Sequence, residues 1–336
     1  DYHFGDTNCG SQASVVDKLI NLQKRPEFIV MPGDLLDCPT APAGDVNPLH
    51  FPAVRDIWGN LIDGLEEQSI PVADGLGNHD LWTGFGGENV KGDIQQRNKK
   101  RIAEGSLFHP YGISTADNAA NYGNKGYHYT WFFPLKKNGK KVLVAFFMLN
   151  NLPGNANRTD PGDTGHGHDE GTYAFGALDY LKASMQTMAC MPDYDYKVGI
   201  PMFHINYGCD VNGDTQGNPE RWWTYADKKA LKEVLDKAPI KIVTAFFGHE
   251  HVRSIEKQTL YIGDRKDPAN KTEYSGYRCA CSIDKPRLNI IDLELVEENG
   301  HCKIKITPRF IEVAKLTSTD DCLPTIKEEL QSCIEL

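Results

Sequence analysis

The sequence predicts an α/β fold in which a parallel β-sheet is covered by helices. Two short apolar runs, at residues 28–31 and 70–73, alternate with amphipathic stretches at residues 11–24 and 51–67. This alternation is typical of parallel sheets, because parallel neighbours need a long crossover connection, usually a helix. The chain has 336 residues, of which 40% are hydrophobic, so it can form one large α/β domain or two small ones.

The elements that follow extend this pattern. Residues 127–134 and 141–149 read as a β-hairpin, because Asn138-Gly139 between them is a strong two-residue turn signal. Periodicity further predicts helices at 89–104, 176–188 and 223–237, strands at 196–203 and 240–247, and more strands up to about residue 313.

No linker-like change in composition divides the chain. We therefore expect one domain over residues 1–315 and a C-terminal tail over residues 316–336, which reads as mostly helical or irregular from residue 317. Residues 150–173 are rich in Gly, Asp, Asn and Pro. Long aperiodic loops are usually functional or disordered, so this one is a candidate wall of a site.

Charge and hydropathy exclude two classes of protein. The net charge is −10 at pH 7, whereas proteins that coat nucleic acid need clustered Lys and Arg. No apolar run approaches the roughly 18 residues that a transmembrane helix needs, so no transmembrane segment is predicted. Because neither nucleic-acid coating nor a transmembrane segment is indicated, we expect the partner to be a small molecule. The sequence leaves the oligomeric state open.

Cysteine usage favours a secretory protein. The chain has nine cysteines, none in C-x-x-C spacing, and two glycosylation sequons that begin at Asn157 and Asn270. We expect several disulfides, a glycan at one or both sequons, and a secreted location or a secretory or lysosomal lumen. The alternative is a cytosolic protein with buried thiols and chance sequons.

Residues that bind metal ions occur at five places, most of them at the end of an apolar run. Each motif alone is an ordinary turn or a packing histidine, but the five together indicate a metal site. The motifs are Asp1-Tyr2-His3, Gly33-Asp34-Leu35-Leu36-Asp37, Gly77-Asn78-His79-Asp80, Phe203-His204-Ile205-Asn206 and Gly248-His249-Glu250-His251.

In this order the motifs resemble the signature of the calcineurin-like metallophosphoesterases, D-x-H, G-D-x-x-D, G-N-H-D, a lone His and G-H-x-H. The resemblance implies a four-layer α/β/β/α sandwich of two mixed β-sheets with flanking helices. It also implies hydrolysis of phosphate esters by attack of metal-bound hydroxide at two adjacent ions. In the family an apolar strand precedes D-x-H, so we expect that strand, and any signal peptide, before Asp1.

The resemblance also implies which residues bind the two ions, with Asp34 as the bridge. One ion would be held by Asp1, His3, Asp34 and His251, and the other by Asp34, Asn78, His204 and His249. This set of oxygen and imidazole ligands suits Fe, Zn or Mn.

Other residues are expected to act on the substrate. The family's counterpart of His79 stays off the metals and assists the leaving group, and Asp80 could orient it. His166, His168 and Tyr207 are candidate substrate contacts. Asp37 stands where purple acid phosphatases carry a tyrosine, so no tyrosinate ligand is expected.

The substrate class is left open by these residues. A small phosphomonoester or phosphodiester is the leading interpretation, and a sphingomyelinase-like or cyclic-nucleotide phosphodiesterase is a second. An alternative of another kind is an extracellular structural or binding protein that retains a metal site. Substrate choice depends on loops rather than on the fold.

Overall fold

The structure is a computed structural model. It describes residues 19–22, 25–34, 63–75, 77, 128–149, 177–206, 225–250, 252, 254–262, 271–279, 287–312 and 330–336. Within these residues twelve strands form three sheets, and two helices are complete enough to delimit. None of the helices in these ranges is long and apolar enough to cross a membrane.

The elements alternate between strand and helix in the middle of the chain and are all β afterwards. The first half contains β1 (Ile29–Met31), β2 (Val72–Asp74), β3 (Tyr129–Lys137), β4 (Lys140–Leu149), α1 (Ala177–Ala189) and β5 (Tyr196–Phe203). The second half contains α2 (Tyr225–Asp236), β6 (Lys241–Ile242), β7 (Phe246–Phe247), β8 (Glu256–Tyr261), β9 (Lys271–Arg278), β10 (Arg287–Glu298), β11 (His301–Glu312) and β12 (Ser332–Glu335).

The central sheet has seven strands and mixed polarity. Its order is β3-β4-β5-β7-β9-β8, with β6 also paired to β5. The pairs of β4, β5, β7 and β9 are parallel, and the outer pairs β3–β4 and β8–β9 are antiparallel. The predicted hairpin is confirmed, with Asn138 at φ 49° and Gly139 at φ 79° as a two-residue turn needs.

Alternating side chains of β4 send apolar residues into two separate cores. Leu143 and Phe147 face one core, which contains the helices α1 and α2. Val144 and Phe146 face the other, which contains apolar residues of the β10–β11–β12 sheet. Because both faces are covered, the strand reads in the sequence as a continuous apolar run without polar alternation. The central sheet therefore lies between a layer of helices and a second, antiparallel sheet.

The predicted strand at 240–247 is broken into β6 and β7. Gly199 pairs with Ile242 and Met202 pairs with Phe246, so two residues of β5 face three residues of the other chain segment. Pro201 is one of those two, and it has no backbone N–H to donate to a ladder. The extra residue forms a local bulge in this pair of strands.

The C-terminal prediction is wrong for the last residues. Ser332–Glu335 form β12, which pairs antiparallel with β11, so this segment is neither helical nor irregular. Only Ile334 and Cys333 are apolar there, and so short a polar strand has little periodicity to detect.

The prediction of a mixed α/β fold is confirmed. The helical segments described, including residues 63–67 and the two residues at 19–20, contribute their buried apolar residues to one core, on one face of the central sheet. Within the described ranges no helix covers the outer face of the β10–β11–β12 sheet, so a fourth layer stays a prediction. Most of the predicted helices at 11–24, 51–67 and 89–104 lies outside the described residues.

Candidate metal centre

Three of the predicted ligands lie at strand ends and meet in space. Asp34 follows β1 by three residues, His204 directly follows β5, and His249 follows β7 by two. Because β5 and β7 are parallel neighbours, their carboxyl ends lie at the same edge of the sheet. This is the crevice where open α/β sheets place their functional residues.

The ligand atoms of these three residues are within 4.8 Å of one another. His204 Nε2 lies 3.0 Å from Asp34 Oδ2 and 3.3 Å from His249 Nδ1. Asp34 and His204 are completely buried, and His249 is half-buried. Two imidazole nitrogens and one carboxylate oxygen thus converge from three separate segments.

These separations fit a common metal ion. Ligand atoms about 2.0–2.1 Å from one ion lie roughly 2.9–3.4 Å from each other, depending on the coordination geometry. The observed 3.0 and 3.3 Å fall in that interval. Oxygen and imidazole donors suit Zn, Fe and Mn.

The backbone at this cluster adopts an unusual conformation. Asp34 has φ 49° and His249 has φ 77°, both in the left-handed region that side chains other than glycine rarely adopt. Gly33, before Asp34, has φ 137°. Such conformations cost roughly 1–3 kcal/mol each and cluster at functional sites. Two residues of the same cluster, Asp34 and His249, therefore carry this conformational free-energy cost.

Gly77 allows the chain to pass directly over Asp34. A Cβ at this position would lie 2.1 Å from both Asp34 N and Asp34 Oδ1. No side chain can occupy that space, so glycine is required by the close approach. Gly77, the first residue of the G-N-H-D motif, therefore lies against Asp34 of the G-D-x-x-D motif.

A network of hydrogen bonds and ion pairs joins the two histidine turns. Gly248 N donates to His204 O at 2.9 Å. Asn206 Nδ2 donates to Glu250 Oε2 at 2.7 Å, and Asn206 is completely buried. The same Glu250 oxygen also accepts from the Arg278 guanidinium, at the end of β9.

Arg278 was not predicted from the sequence. It is paired with Phe247 across β7 and β9, which places it beside the His249 turn. Its guanidinium contacts both Glu250 and Glu256. Burial lowers the pKa of Arg278, but arginine stays protonated in proteins. No local motif marks this residue, because its place depends on which strands become neighbours.

A second missed feature is the start of β3. His128 is completely buried and its ring lies 5.4 Å from the ring of Tyr180. The next residue, Tyr129, donates its hydroxyl to Asp74 O at 2.7 Å. This contact ties the central sheet to the end of β2, from which Gly77 and the G-N-H-D motif continue. A single histidine outside any motif, such as His128, does not reveal from the sequence that it is buried at this place.

Most other predicted site residues lie outside the described part of the chain. They are the ligands Asp1, His3, Asn78 and His251, the groups His79 and Asp80, the second carboxylate Asp37, the substrate contacts His166, His168 and Tyr207, and the sequon residues Asn157 and Asn270. Their roles stay predictions.

Four cysteines in the described ranges are free, namely Cys190, Cys279, Cys302 and Cys333. Burial raises the pKa of the Cys279 thiol to about 11, so this residue near Arg278 is a protonated thiol and not a thiolate ligand. The expected disulfides could involve only the five other cysteines, which lie outside the described residues.

No protein-family profile matches the chain, and no curated protein sequence matches it. One solved structure that the chain is similar to is GAP50, the anchor in the inner membrane complex of Plasmodium. The identity is 15%, the alignment covers 97% of this chain and 88% of that chain, and the TM-score is 0.45. A likeness at this level defines neither a shared fold nor a shared activity.

Proposed function

We propose that this protein is a metal-dependent hydrolase of small phosphomonoesters or phosphodiesters with a dinuclear metal centre. The observation that carries the proposal is the convergence of Asp34, His204 and His249. The resemblance to the calcineurin-like metallophosphoesterases implies that these three residues, together with Asn78, hold one ion. Agreement between a motif pattern and a spatial cluster is stronger support than either alone.

The chain's own residues have distinct tasks in this proposal. Asp34 would hold one ion with His204 and His249 and reach a second ion held by Asp1, His3 and His251. Two bound ions would supply Lewis-acid activation of water and neutralise the phosphate charge. His79 would donate a proton to the leaving alkoxide, where charge develops in the transition state, and Asp80 would orient it.

Burial supports these tasks. Asp34 and His204 are fully shielded from water, and charge interactions strengthen when water is excluded. The positive φ of Asp34 and His249 fixes the direction in which each side chain leaves its strand. The cluster is thus held in place before any ligand arrives, as preorganised catalysis requires.

The finer fold and location belong to the same proposal. We expect the second sheet to be covered by a further helical layer, completing the four-layer α/β/β/α sandwich of calcineurin-like metallophosphoesterases. We expect a secreted protein or one in a secretory or lysosomal lumen, with glycan at Asn157 or Asn270. His166, His168 and Tyr207 would contact the substrate.

The deciding experiment measures metal and turnover on the same preparation. Protein purified without chelators should contain Fe, Zn or Mn and hydrolyse p-nitrophenyl phosphate or bis-p-nitrophenyl phosphate when Mn²⁺ is supplied, and a chelator should abolish the activity. The ratio of the two rates separates monoesterase from diesterase, and sphingomyelin and cyclic nucleotides extend the panel. Bound metal without turnover would indicate a binding protein, and absence of metal would refute the site.

A further inference from the structure

We infer that Glu250, held by Asn206 and Arg278, is a positioning residue that sets His204 and His249 at the spacing one ion needs. This inference rests on the proposed metal site. Glu250 lies between the two histidines of the G-H-x-H motif, at the one position of that motif where the pattern specifies no residue. Its role is therefore read from its contacts.

The contacts of Glu250 join three chain segments. Asn206, two residues after His204, donates to Glu250 Oε2 at 2.7 Å. Arg278, at the end of β9, pairs with the same oxygen. Glu250 itself directly follows His249. One carboxylate oxygen thus ties both histidine turns to the neighbouring strand.

A second link makes the arrangement rigid. Gly248 N donates to His204 O at 2.9 Å, so the turns are joined through the backbone as well as through Glu250. Between the two links lies His249, with φ 77°. A residue in this conformation persists only when its surroundings hold it, and the links on either side do so.

The charges within the cluster are matched. Glu250 and Arg278 have 17% exposed side chains each, and a carboxylate so shielded needs a partner. Arg278 supplies the partner, and its other amino group pairs with Glu256, whose side chain is 46% exposed. Glu250 Oε2 is therefore held by protein groups, as a positioning residue requires.

The test compares metal affinity in Glu250→Gln, Glu250→Ala and the wild type, by competition with a chromophoric chelator for Zn²⁺ and Mn²⁺. Removing a partner that orients metal ligands typically weakens binding by about 10–100-fold. We expect that loss in Glu250→Ala and a smaller one in Glu250→Gln, which keeps one acceptor oxygen. At saturating metal the kcat of both variants should stay within about threefold of the wild type, because a residue that acts only through the metal ligands has little effect once metal is bound.

Glu256→Gln is the matched control. It removes one negative charge from the same arginine without touching either histidine turn. Its metal affinity should change by less than about threefold, because half-exposed ion pairs contribute little. Asn206→Ala should weaken binding as Glu250→Gln does, and the double variant should lose much less than the sum of the two effects.

The outcomes separate this inference from the proposed function. If the wild type binds metal and Glu250→Ala binds it equally well, the positioning role is refuted and the metal site stands. Equal losses in Glu256→Gln and Glu250→Gln would refute it too, since they would indicate a general charge effect. If the wild type binds no metal, the proposed function fails and this inference with it. Should Glu250→Ala not fold, Glu250→Gln and Asn206→Ala decide.

Discussion

The two ends of the central sheet use the same backbone conformation differently. At one end Asn138 and Gly139, with φ 49° and 79°, are exposed and turn the β3–β4 hairpin. At the other end lies His249, half-buried and with φ 77°, beside the buried Asp34, with φ 49°, which follows β1 of the separate β1–β2 sheet. A residue in the left-handed backbone conformation indicates by itself only a turn. The same conformation indicates a functional site when the residue is not glycine, is shielded from water and lies against other residues that can bind metal.

The charged contacts at the two ends differ in the same way. Lys140 and Asp195, beside the hairpin, form an ion pair 3.2 Å long with side chains 48% and 37% exposed. His204 and Asp34 are 3.0 Å apart with no exposure at all. Similar distances therefore have different consequences, because solvent screens one pair and not the other.

The largest expected effect is at the buried end. Asp34→Ala should lose bound metal and phosphate-ester hydrolysis together, because Asp34 is the proposed bridge between the ions. Elemental analysis and the rate with bis-p-nitrophenyl phosphate are the measurements, and circular dichroism checks the fold. Asp195→Ala, which removes a carboxylate from the hairpin end, should leave both at the wild-type level. Comparable losses in the two variants would show that a general loss of a carboxylate, and not loss of the proposed bridge, explains the effect.

Next comes His79→Ala, which separates metal binding from proton transfer. His79 adjoins the predicted ligand Asn78 but is expected at the leaving group. The variant should keep its metal and lose roughly 10²–10⁴ in kcat, the usual contribution of a positioned acid. The loss should shrink for a nitrophenyl ester, whose leaving group hardly needs a proton. Loss of metal, or equal impairment for good and poor leaving groups, would contradict this role.

Smaller losses of stability are expected when the glycine at each end, Gly77 or Gly139, is replaced by alanine. Gly77→Ala places a methyl group 2.1 Å from Asp34 N, so the chain must shift, and overpacking of this kind costs typically 1–3 kcal/mol. Gly139→Ala meets nothing within 4 Å and should cost only about 1–2 kcal/mol through its φ of 79°.

Thermal melts and metal titrations distinguish the two glycine variants. Gly77→Ala should weaken metal binding, whereas Gly139→Ala should lower only the melting temperature. Full metal affinity in Gly77→Ala would show that the approach of this glycine to Asp34 does not matter to the site.

The smallest effect concerns the pH dependence of the hairpin end. The backbone N–H of Lys141, and then the ammonium of Lys140, lower the pKa of Asp195 below its ordinary value of 3.8. Stabilisation from a lowered carboxyl pKa is present above that ordinary value and is lost as the pH falls through the folded-state pKa. Melting curves of wild type and Asp195→Asn should differ slightly at neutral pH and converge in acid. A difference that grows on acidification would have the wrong sign.

The local sequence pattern predicted much of the fold, because buried strands can be detected as short apolar runs. Residues 196–203 were expected as a strand and form β5 with those bounds. The convergence of Asp34, His204 and His249 was foreseeable for the same reason, since each lies close to the end of a detectable strand. His204 and His249 meet because the parallel neighbours β5 and β7 end at one edge, whereas Asp34 comes from β1, which pairs with β2 in a separate two-stranded sheet.

What pattern could not predict depends on which strands become neighbours. Arg278 contacts Glu250 because β9 pairs with β7. The local sequence around residue 278 does not indicate that pairing. The strand β12 was missed because four residues with alternating partial burial carry no apolar face of their own. The position of β12 is set by its pairing with β11.

The bulge between β5 and the β6–β7 segment sets a limit on insertions and deletions. Val243, Thr244 and Ala245 face only Ile200 and Pro201, and the pairing of Met202 with Phe246 then sets Gly248 beside His204. One residue fewer would leave two residues facing two, so the bulge would disappear and His249 would keep its place beside His204. A second deletion would instead move His249 by about 3.3 Å and turn its side chain to the other side of the sheet. A chain with every ligand intact could thus lose the site through a change of length in this buried segment. The bulge allows the loss of one residue, and beyond that the length of the segment is constrained as the identity of the ligands is.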